Sequence, residues 1–186
     1  MIKNCKYFFI KTPILVISDL IYDRNGWETE VNKTLKSIDI NTISSKLWIT
    51  YQLCICQRNF TNNSLASSII PKIYQCDATY LSLSDQVITL NEFIILCSSV
   101  IDLTSHQVTV KNDDGTVVLF EKLTKQLPKL KSINYTFTTP SNNTSKKSFE
   151  ELWKIRHFSI YDYVRLFSIP EDFNIDCFYS FMKVCI

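Results

Sequence analysis

Between residues 78 and 170 the chain repeats one short pattern four times: two large apolar residues flank a single residue, and a segment of helical periodicity follows. The four triplets are Leu81-Ser82-Leu83, Ile101-Asp102-Leu103, Ile133-Asn134-Tyr135 and Val164-Arg165-Leu166. Alternate residues of a strand lie on the same face. Each triplet therefore predicts a short strand whose two apolar side chains enter the core.

Helices are predicted after each of these strands. They cover residues 89–96, about 117–127, a segment that begins at residue 148, and about 175–182. Thr89 and Glu92 have the spacing of a capping box, which marks the first helix start. The repeat length of roughly 20 to 32 residues is close to that of leucine-rich repeats, and such units bury their apolar faces by stacking. The sequence thus predicts an α/β fold, a leucine-rich-repeat-like strand–helix solenoid with parallel strands. An ordinary α/β domain with a few similar units is the alternative.

The residues between the apolar pairs should form the opposite face of the sheet, because side chains alternate along a strand. Solenoids commonly bind partners on such a face, and aromatic residues beside an arginine are typical anchors of protein interfaces. The predicted protein-binding residues are Ser82, Asp102, Asn134, Tyr163, Arg165 and Phe167.

The rest of the chain gives simpler signals. Residues 47–56 alternate in a way that predicts a strand buried on both faces. Residues 65–74 predict a helix that ends near Pro71, since proline cannot continue a hydrogen-bonded helix. Residues 3–20 suggest a helix that continues into an apolar turn or strand.

Composition narrows the function. The 186 residues suffice for one domain with a core, because 46% are hydrophobic and 13% aromatic. The net charge of +2 and scattered lysines argue against nucleic acid. The only glycines, Gly26 and Gly115, cannot form a phosphate-cradling loop. No apolar run approaches 18 residues, so we expect no membrane span. The expected partner is an unidentified protein.

Cysteine usage predicts free, buried thiols. The 7 cysteines are an odd number without framework spacing. Cys54 and Cys56 lack the further ligands that a zinc site needs, so no metal or cofactor is expected. No nucleophile elbow or zinc helix accompanies His106 and His157. We expect no catalytic residues and no enzyme activity; a cysteine-dependent hydrolase is the weaker alternative.

Two features bear on the cellular compartment. Lys11 and Pro13 interrupt the N-terminal apolar run, which predicts a cytoplasmic or nuclear protein and not a secreted one. The alternative is a secreted N-glycosylated protein, for which the chain offers several acceptor triplets. They begin at Asn32, Asn59, Asn62, Asn134, Asn142 and Asn143.

Several runs of residues carry a family resemblance. Cys5-Lys6-Tyr7-Phe8-Phe9, followed by Pro13-Ile14-Leu15, resembles the second half of an F-box motif. Longer runs resemble the lineage-expanded F-box-like proteins of nematodes. They are Ile70-Pro71-Lys72-Ile73-Tyr74-Gln75-Cys76-Asp77-Ala78, Val110-Lys111-Asn112-Asp113-Asp114-Gly115-Thr116-Val117-Val118 and Ile169-Pro170-Glu171-Asp172-Phe173-Asn174-Ile175.

The resemblance implies the substrate-recognition part of an adaptor for a Skp1–cullin ubiquitin ligase. Residues 1–20 would be the C-terminal remnant of a helical F-box, and residues 21–186 the repeat domain. The implied Skp1-contact residues are Cys5, Tyr7, Phe8, Phe9 and Pro13. F-box domains normally begin with an upstream Leu-Pro-x-Glu helix, which this chain lacks. We therefore expect the chain alone to bind Skp1 poorly; a truncated, non-functional family member is an alternative.

Overall fold

A computed structural model describes residues 13–23, 26–56, 62–138 and 161–171. The predicted helices at residues 148 and 175–182 lie outside these ranges, as do Cys5, Tyr7, Phe8 and Phe9. Strands account for 48% of the described residues and helices for 17%.

The first half of the chain contains five strands and one short helix within the described ranges. In chain order they are β1 (Ile14–Asp23), β2 (Gly26–Val31), β3 (Thr34–Ser37), β4 (Lys46–Cys56), α1 (Leu65–Ile69), a 3-10 turn (Ile70–Lys72) and β5 (Ile73–Cys76). The strand predicted for residues 47–56 is confirmed, but its predicted burial on both faces is wrong, because Thr50 and Tyr51 are exposed and Trp48 and Gln52 are only half-buried. The helix predicted for residues 65–74 is shorter, because Pro71 falls in the 3-10 turn and the chain is extended from Ile73.

The second half continues the same alternation with shorter elements. They are β6 (Tyr80–Ser84), β7 (Val87–Thr89), α2 (Leu90–Cys97), β8 (Asp102–His106), β9 (Thr109–Lys111), α3 (Phe120–Lys125), β10 (Ser132–Thr136) and β11 (Tyr163–Phe167). The capping box at the start of α2 is confirmed: the Thr89 hydroxyl accepts from the Glu92 N–H, and the Glu92 carboxylate accepts from the Thr89 N–H.

Most described strands belong to one mixed sheet of nine strands, ordered β11-β10-β8-β6-β4-β1-β2-β3, with β5 also paired to β4. Strands β1, β4, β6, β8, β10 and β11 run parallel to one another. Strands β2 and β3 continue the sheet as an antiparallel hairpin beside β1. A separate two-stranded parallel sheet pairs β7 with β9.

The predicted leucine-rich-repeat-like strand–helix solenoid is therefore wrong. The antiparallel hairpin makes the sheet mixed, and the three described α-helices have only five, eight and six residues. Two links between sheet strands contain strands themselves, β7 and β9. Their residues, Val87-Ile88-Thr89 and Thr109-Val110, are mostly β-branched, and β-branched side chains favour extended backbone.

The predicted helical F-box remnant is also wrong where the structure describes it. Residues 14–20 belong to β1, which lies inside the sheet between β4 and β2. Three of the first four residues of β1 are β-branched (Ile14, Val16 and Ile17), and pairing with β4 buries the later Leu20 completely. Strand β1 runs without a break across the predicted domain boundary after residue 20.

The apolar triplets are strands, but one was placed in the wrong register. Leu81 pairs with Leu103, which pairs with Ile133, which pairs with Val164. The inward pair of β8 is thus Leu103 and Ser105, and not Ile101 and Leu103 as predicted. A slip of two residues leaves every side chain on the same face, so the error moves Asp102 along the face without turning it inward.

The core lies on the inward face of the parallel strands. Leu53, Leu81 and Leu83 are fully buried there. Below β10, Phe120 of α3 contacts Tyr135 and Phe137, with ring centroids 4.7 and 5.4 Å apart. Tilted aromatic contacts of this kind add to the stabilisation from apolar burial.

The carboxyl ends of the parallel strands are fixed by a recurrent turn. Asp85, Gln107 and Ser168 directly follow β6, β8 and β11, and each has a φ between +51 and +56°. Backbone bonds join neighbouring turns: the Asp85 N–H donates to the His106 carbonyl at 2.9 Å and the Gln107 N–H to the Thr136 carbonyl at 3.3 Å. These contacts align the carboxyl ends of the strands with one another and so position the outward side chains near those ends.

Candidate protein-binding site on the open sheet face

Parallel pairing aligns the outward side chains of four strands in three rows. The first row is Tyr80, Asp102, Ser132 and Tyr163; the second is Ser82, Thr104, Asn134 and Arg165; the third is Ser84, His106, Thr136 and Phe167. All three rows lie on the face opposite the core, which we call the open face. Neighbouring strands are about 4.8 Å apart, so side chains in one row are close enough to contact a single ligand.

The six predicted binding residues all lie on the open face but not in a single row. Ser82, Asn134 and Arg165 share the second row, Asp102 and Tyr163 lie in the first, and Phe167 lies in the third. Ser82 is only 6% exposed, and its hydroxyl lies 3.5 Å from the Cys56 sulfur. It therefore contributes little surface to a partner.

Six of the twelve open-face residues were missed, and three of these six line the cavity described below. Thr104 occupies the second-row position that was predicted for Asp102, and His106 and Thr136 lie beside each other in the third row. His106 Nδ1 and Thr136 Oγ1 are 3.2 Å apart. The inward pair of β8 is Leu103 and Ser105. It was missed because a serine is not recognised as a core residue from the sequence pattern.

Arg165 is the most distinctive residue of the open face. Its guanidinium carbon lies 5.2 Å from the centroid of the Tyr163 ring and 5.9 Å from that of the Phe167 ring. Tyr163 and Phe167 are 42% and 45% exposed, and Arg165 is exposed between them. Among the described residues no carboxylate forms an ion pair with Arg165. Two ring contacts thus orient a cation whose N–H donors remain available to a ligand.

A cavity of about 370 Å³ opens at the carboxyl ends of β8, β10 and β11; Phe167, which contacts the Arg165 guanidinium, lines it, whereas Arg165 itself does not. Six of the seven lining residues are polar in type and none is acidic, but carbon atoms form most of the cavity surface. The lining consists of Thr104, Ser105, His106, Asn134, Thr136, Phe167 and Ser168. Two of the six predicted residues, Asn134 and Phe167, therefore line a concave site.

Three of the four described thiols, those of Cys54, Cys76 and Cys97, are poorly suited to nucleophilic chemistry. Burial raises the pKa of the Cys54 thiol to about 11, and burial also raises the pKa of Cys76 and of Cys97. These thiols are protonated at neutral pH, whereas the thiolate is the nucleophile. Within the described ranges, no cluster of three or more His, Cys, Asp or Glu residues could hold a metal ion.

Pro13 is the one implied Skp1-contact residue that the structure describes. It lies just before β1, and its carbonyl accepts a hydrogen bond from the Lys46 N–H at 2.9 Å. The backbone of Pro13 thus aligns β1 with β4. None of the helices in the described ranges has the length and apolar character needed to cross a membrane.

No family model, curated protein or solved structure matches this chain.

Proposed function

We propose that the chain is a protein-interaction module that binds a partner protein on the open face. The observation that carries the proposal is Arg165, which is held between two exposed aromatic rings, one of which, Phe167, lines a cavity. Arginine and tyrosine are enriched among the residues that dominate interface energies. Because these side chains project from paired strands, the backbone that carries them is already ordered before a partner binds.

The resemblance to F-box-like proteins extends this proposal to a role. In that role the open face binds a protein, and this bound protein is then ubiquitinated by a Skp1–cullin ligase in the cytoplasm or nucleus. A complete F-box fused before Met1 should recruit Skp1 and cause ubiquitination of the proteins that the open face binds. Recruitment of Skp1 without ubiquitination of those proteins would contradict the adaptor role and leave the binding face untouched.

Three acceptor triplets begin at described residues; Asn32 and Asn62 are exposed, whereas Asn134 is poorly placed for a glycan. Asn134, the first residue of an Asn-x-Thr triplet, lies within β10 between β8 and β11, and its neighbours Tyr135 and Thr136 are 3% and 7% exposed. Glycan acceptors are typically found in surface loops. The intact mass of the protein from its native source should show no added hexose, whereas hexose mass would support the secreted alternative.

Proximity labelling in cells tests the binding face. The wild type is compared with a triple variant, Asn134→Ala, Arg165→Ala and Phe167→Ala. A matched control replaces an exposed polar, cationic and aromatic residue elsewhere: Thr34→Ala, Lys36→Ala and Tyr74→Ala. We expect partners that label with the wild type and the control but not with the face variant, while all three proteins melt cooperatively. The same partners for all three proteins would contradict the proposal.

A further inference from the structure

We infer that the cavity beside Arg165 binds the carboxylate side chain of an aspartate or glutamate in an extended segment of the partner protein. This inference rests on the proposed function and names the chemistry that the open face recognises.

The hydrogen-bonding side chains at the site can all donate, and Arg165 can only donate. Arg165 offers five N–H donors and no acceptor, and Asn134 offers an NH₂ group. Thr104 and Thr136 add hydroxyls that can donate, and His106 adds an imidazole. A carboxylate accepts from all of these groups, and its hydrogen bonds to a guanidinium are stronger than those between neutral groups.

The register brings these donors to one place. Asn134 and Arg165 are direct partners across β10 and β11, and Thr104 is the partner of Asn134 on β8. Two strand spacings, about 10 Å, therefore separate Thr104 from Arg165. Phe167 lines the cavity and also contacts the guanidinium, so it connects the cation to the concave site.

Charge complementarity selects this occupant over others. A lysine or arginine from the partner would be repelled by Arg165. An apolar side chain would desolvate the guanidinium without giving it an acceptor, and unpaired buried donors are costly. The acidic residue of the open face, Asp102, lies in the first row, two residues before Thr104 in β8. Arg165 lies in the second row on β11, two strands away from Asp102 on β8, so Asp102 does not occupy the guanidinium.

Selection from a random peptide library tests the inference, with the purified chain as the target. We expect the selected peptides to share one acidic position. The consensus peptide is then synthesised with glutamate, glutamine or phosphoserine at that position, and its Kd is measured by fluorescence anisotropy. The glutamine peptide should bind about tenfold more weakly, because it loses a charge-assisted hydrogen bond.

Arginine variants show whether Arg165 is the partner of that acidic residue. Arg165→Ala should weaken the glutamate peptide about tenfold and leave the glutamine peptide nearly unchanged. Arg165→Lys should give an intermediate Kd, since it keeps the charge but loses the planar fork. The matched control Lys36→Ala, which removes an exposed cation from β3 at the other side of the sheet, should bind like the wild type.

Several results would overturn the inference. They are a library that yields no binder, a consensus without an acidic position, equal Kd values for the glutamate and glutamine peptides, or binding confined to the phosphoserine peptide, which would indicate a phosphate site. The wider proposal is distinguished by the labelling experiment: if the Asn134, Arg165 and Phe167 variant loses its partners while the two peptides bind equally, only the carboxylate inference fails.

Discussion

Leu83 shows how one residue of a predicted triplet contributes to stability. It is fully buried, and its backbone lies between Ile55 of β4 and Ser105 of β8. Leu83→Ala should lower the free energy of unfolding by about 2–5 kcal/mol, because it removes apolar contacts and leaves a cavity. Urea denaturation measures the change. Leu35→Ala, at a β3 position that is 51% exposed, should change it by about 0.5 kcal/mol or less. Equal effects of the two substitutions would contradict the burial of Leu83.

Cys54 predicts a specific dependence of stability on pH. Burial raises its pKa from 9.0 to about 11. Between these pH values the Cys54 thiol ionises in the unfolded chain but stays protonated in the folded chain, which favours unfolding. The free energy of unfolding therefore falls as pH rises from 9.0 to about 11. Urea denaturation across that range should show a shallower decline for Cys54→Ala than for the wild type. Parallel declines would show that Cys54 does not titrate differently in the two states.

The residue patterns predicted correctly which side chains point inward, but they predicted the alignment of neighbouring strands less well. Leu81, Leu83, Ile133 and Tyr135 are buried as predicted, because alternation is a local property of the strand. The position of Asp102 was predicted wrongly, because a shift of two residues preserves that alternation. Only the pairing with β6 and β10 shows that Thr104 belongs in the second row.

At the scale of elements, Gln86 joins β6, β7 and α1. Its side chain is fully buried; the carbonyl oxygen accepts from the Ala66 N–H at 2.9 Å, and the amide donates to the carbonyls of Ser84, Asp85 and Asn62. Gln86→Leu should lower the free energy of unfolding by about 1–3 kcal/mol, because buried backbone groups lose their partner. Gln126→Ala, at the exposed end of α3, is the control and should be nearly neutral in the same urea denaturation. A Gln86→Leu protein as stable as the wild type would show that water or other groups replace the amide.

Elements with a local chemical signal were predictable and the others were not. The start of α2 follows from Thr89 and Glu92, whose side chains satisfy neighbouring backbone donors. The β2–β3 hairpin was missed because its turn uses Asn32 and Lys33, both with positive φ, in place of an Asn-Gly pair. Strands β7 and β9 were missed because each has only three residues and its pairing partner is distant in sequence.

At the scale of the whole molecule, the same apolar pattern is compatible with more than one architecture. Parallel strands with inward apolar pairs occur in solenoids and in other sheets. Which of these architectures forms depends on the segments that link the parallel strands and on the edge of the sheet, where the β2–β3 hairpin pairs antiparallel with β1. The hairpin pairings join neighbouring segments, whereas the parallel pairings, such as β1 with β4, join segments far apart in the chain. Periodicity within one segment carries no information about either kind.

The candidate site likewise depends on how several strands are arranged in the sheet. Arg165 and its two rings lie on β11. Of the seven cavity residues, Phe167 and Ser168 lie at the end of β11, and the other five come from β8 and β10. The sequence indicated Arg165, Asn134 and Phe167 through their residue types and alternation. It gave no indication of the cavity, which exists only because β11 pairs with β10 in one register.

The arrangement of the candidate site therefore depends on the register between β10 and β11, which NMR can measure. In ¹⁵N-labelled protein, nuclear Overhauser contacts between the two strands should place Asn134 opposite Arg165 and Tyr135 opposite Leu166. That result would establish the aligned second and third rows. Contacts that place Asn134 opposite Tyr163 or Phe167, or that pair β11 with a different strand, would contradict the account.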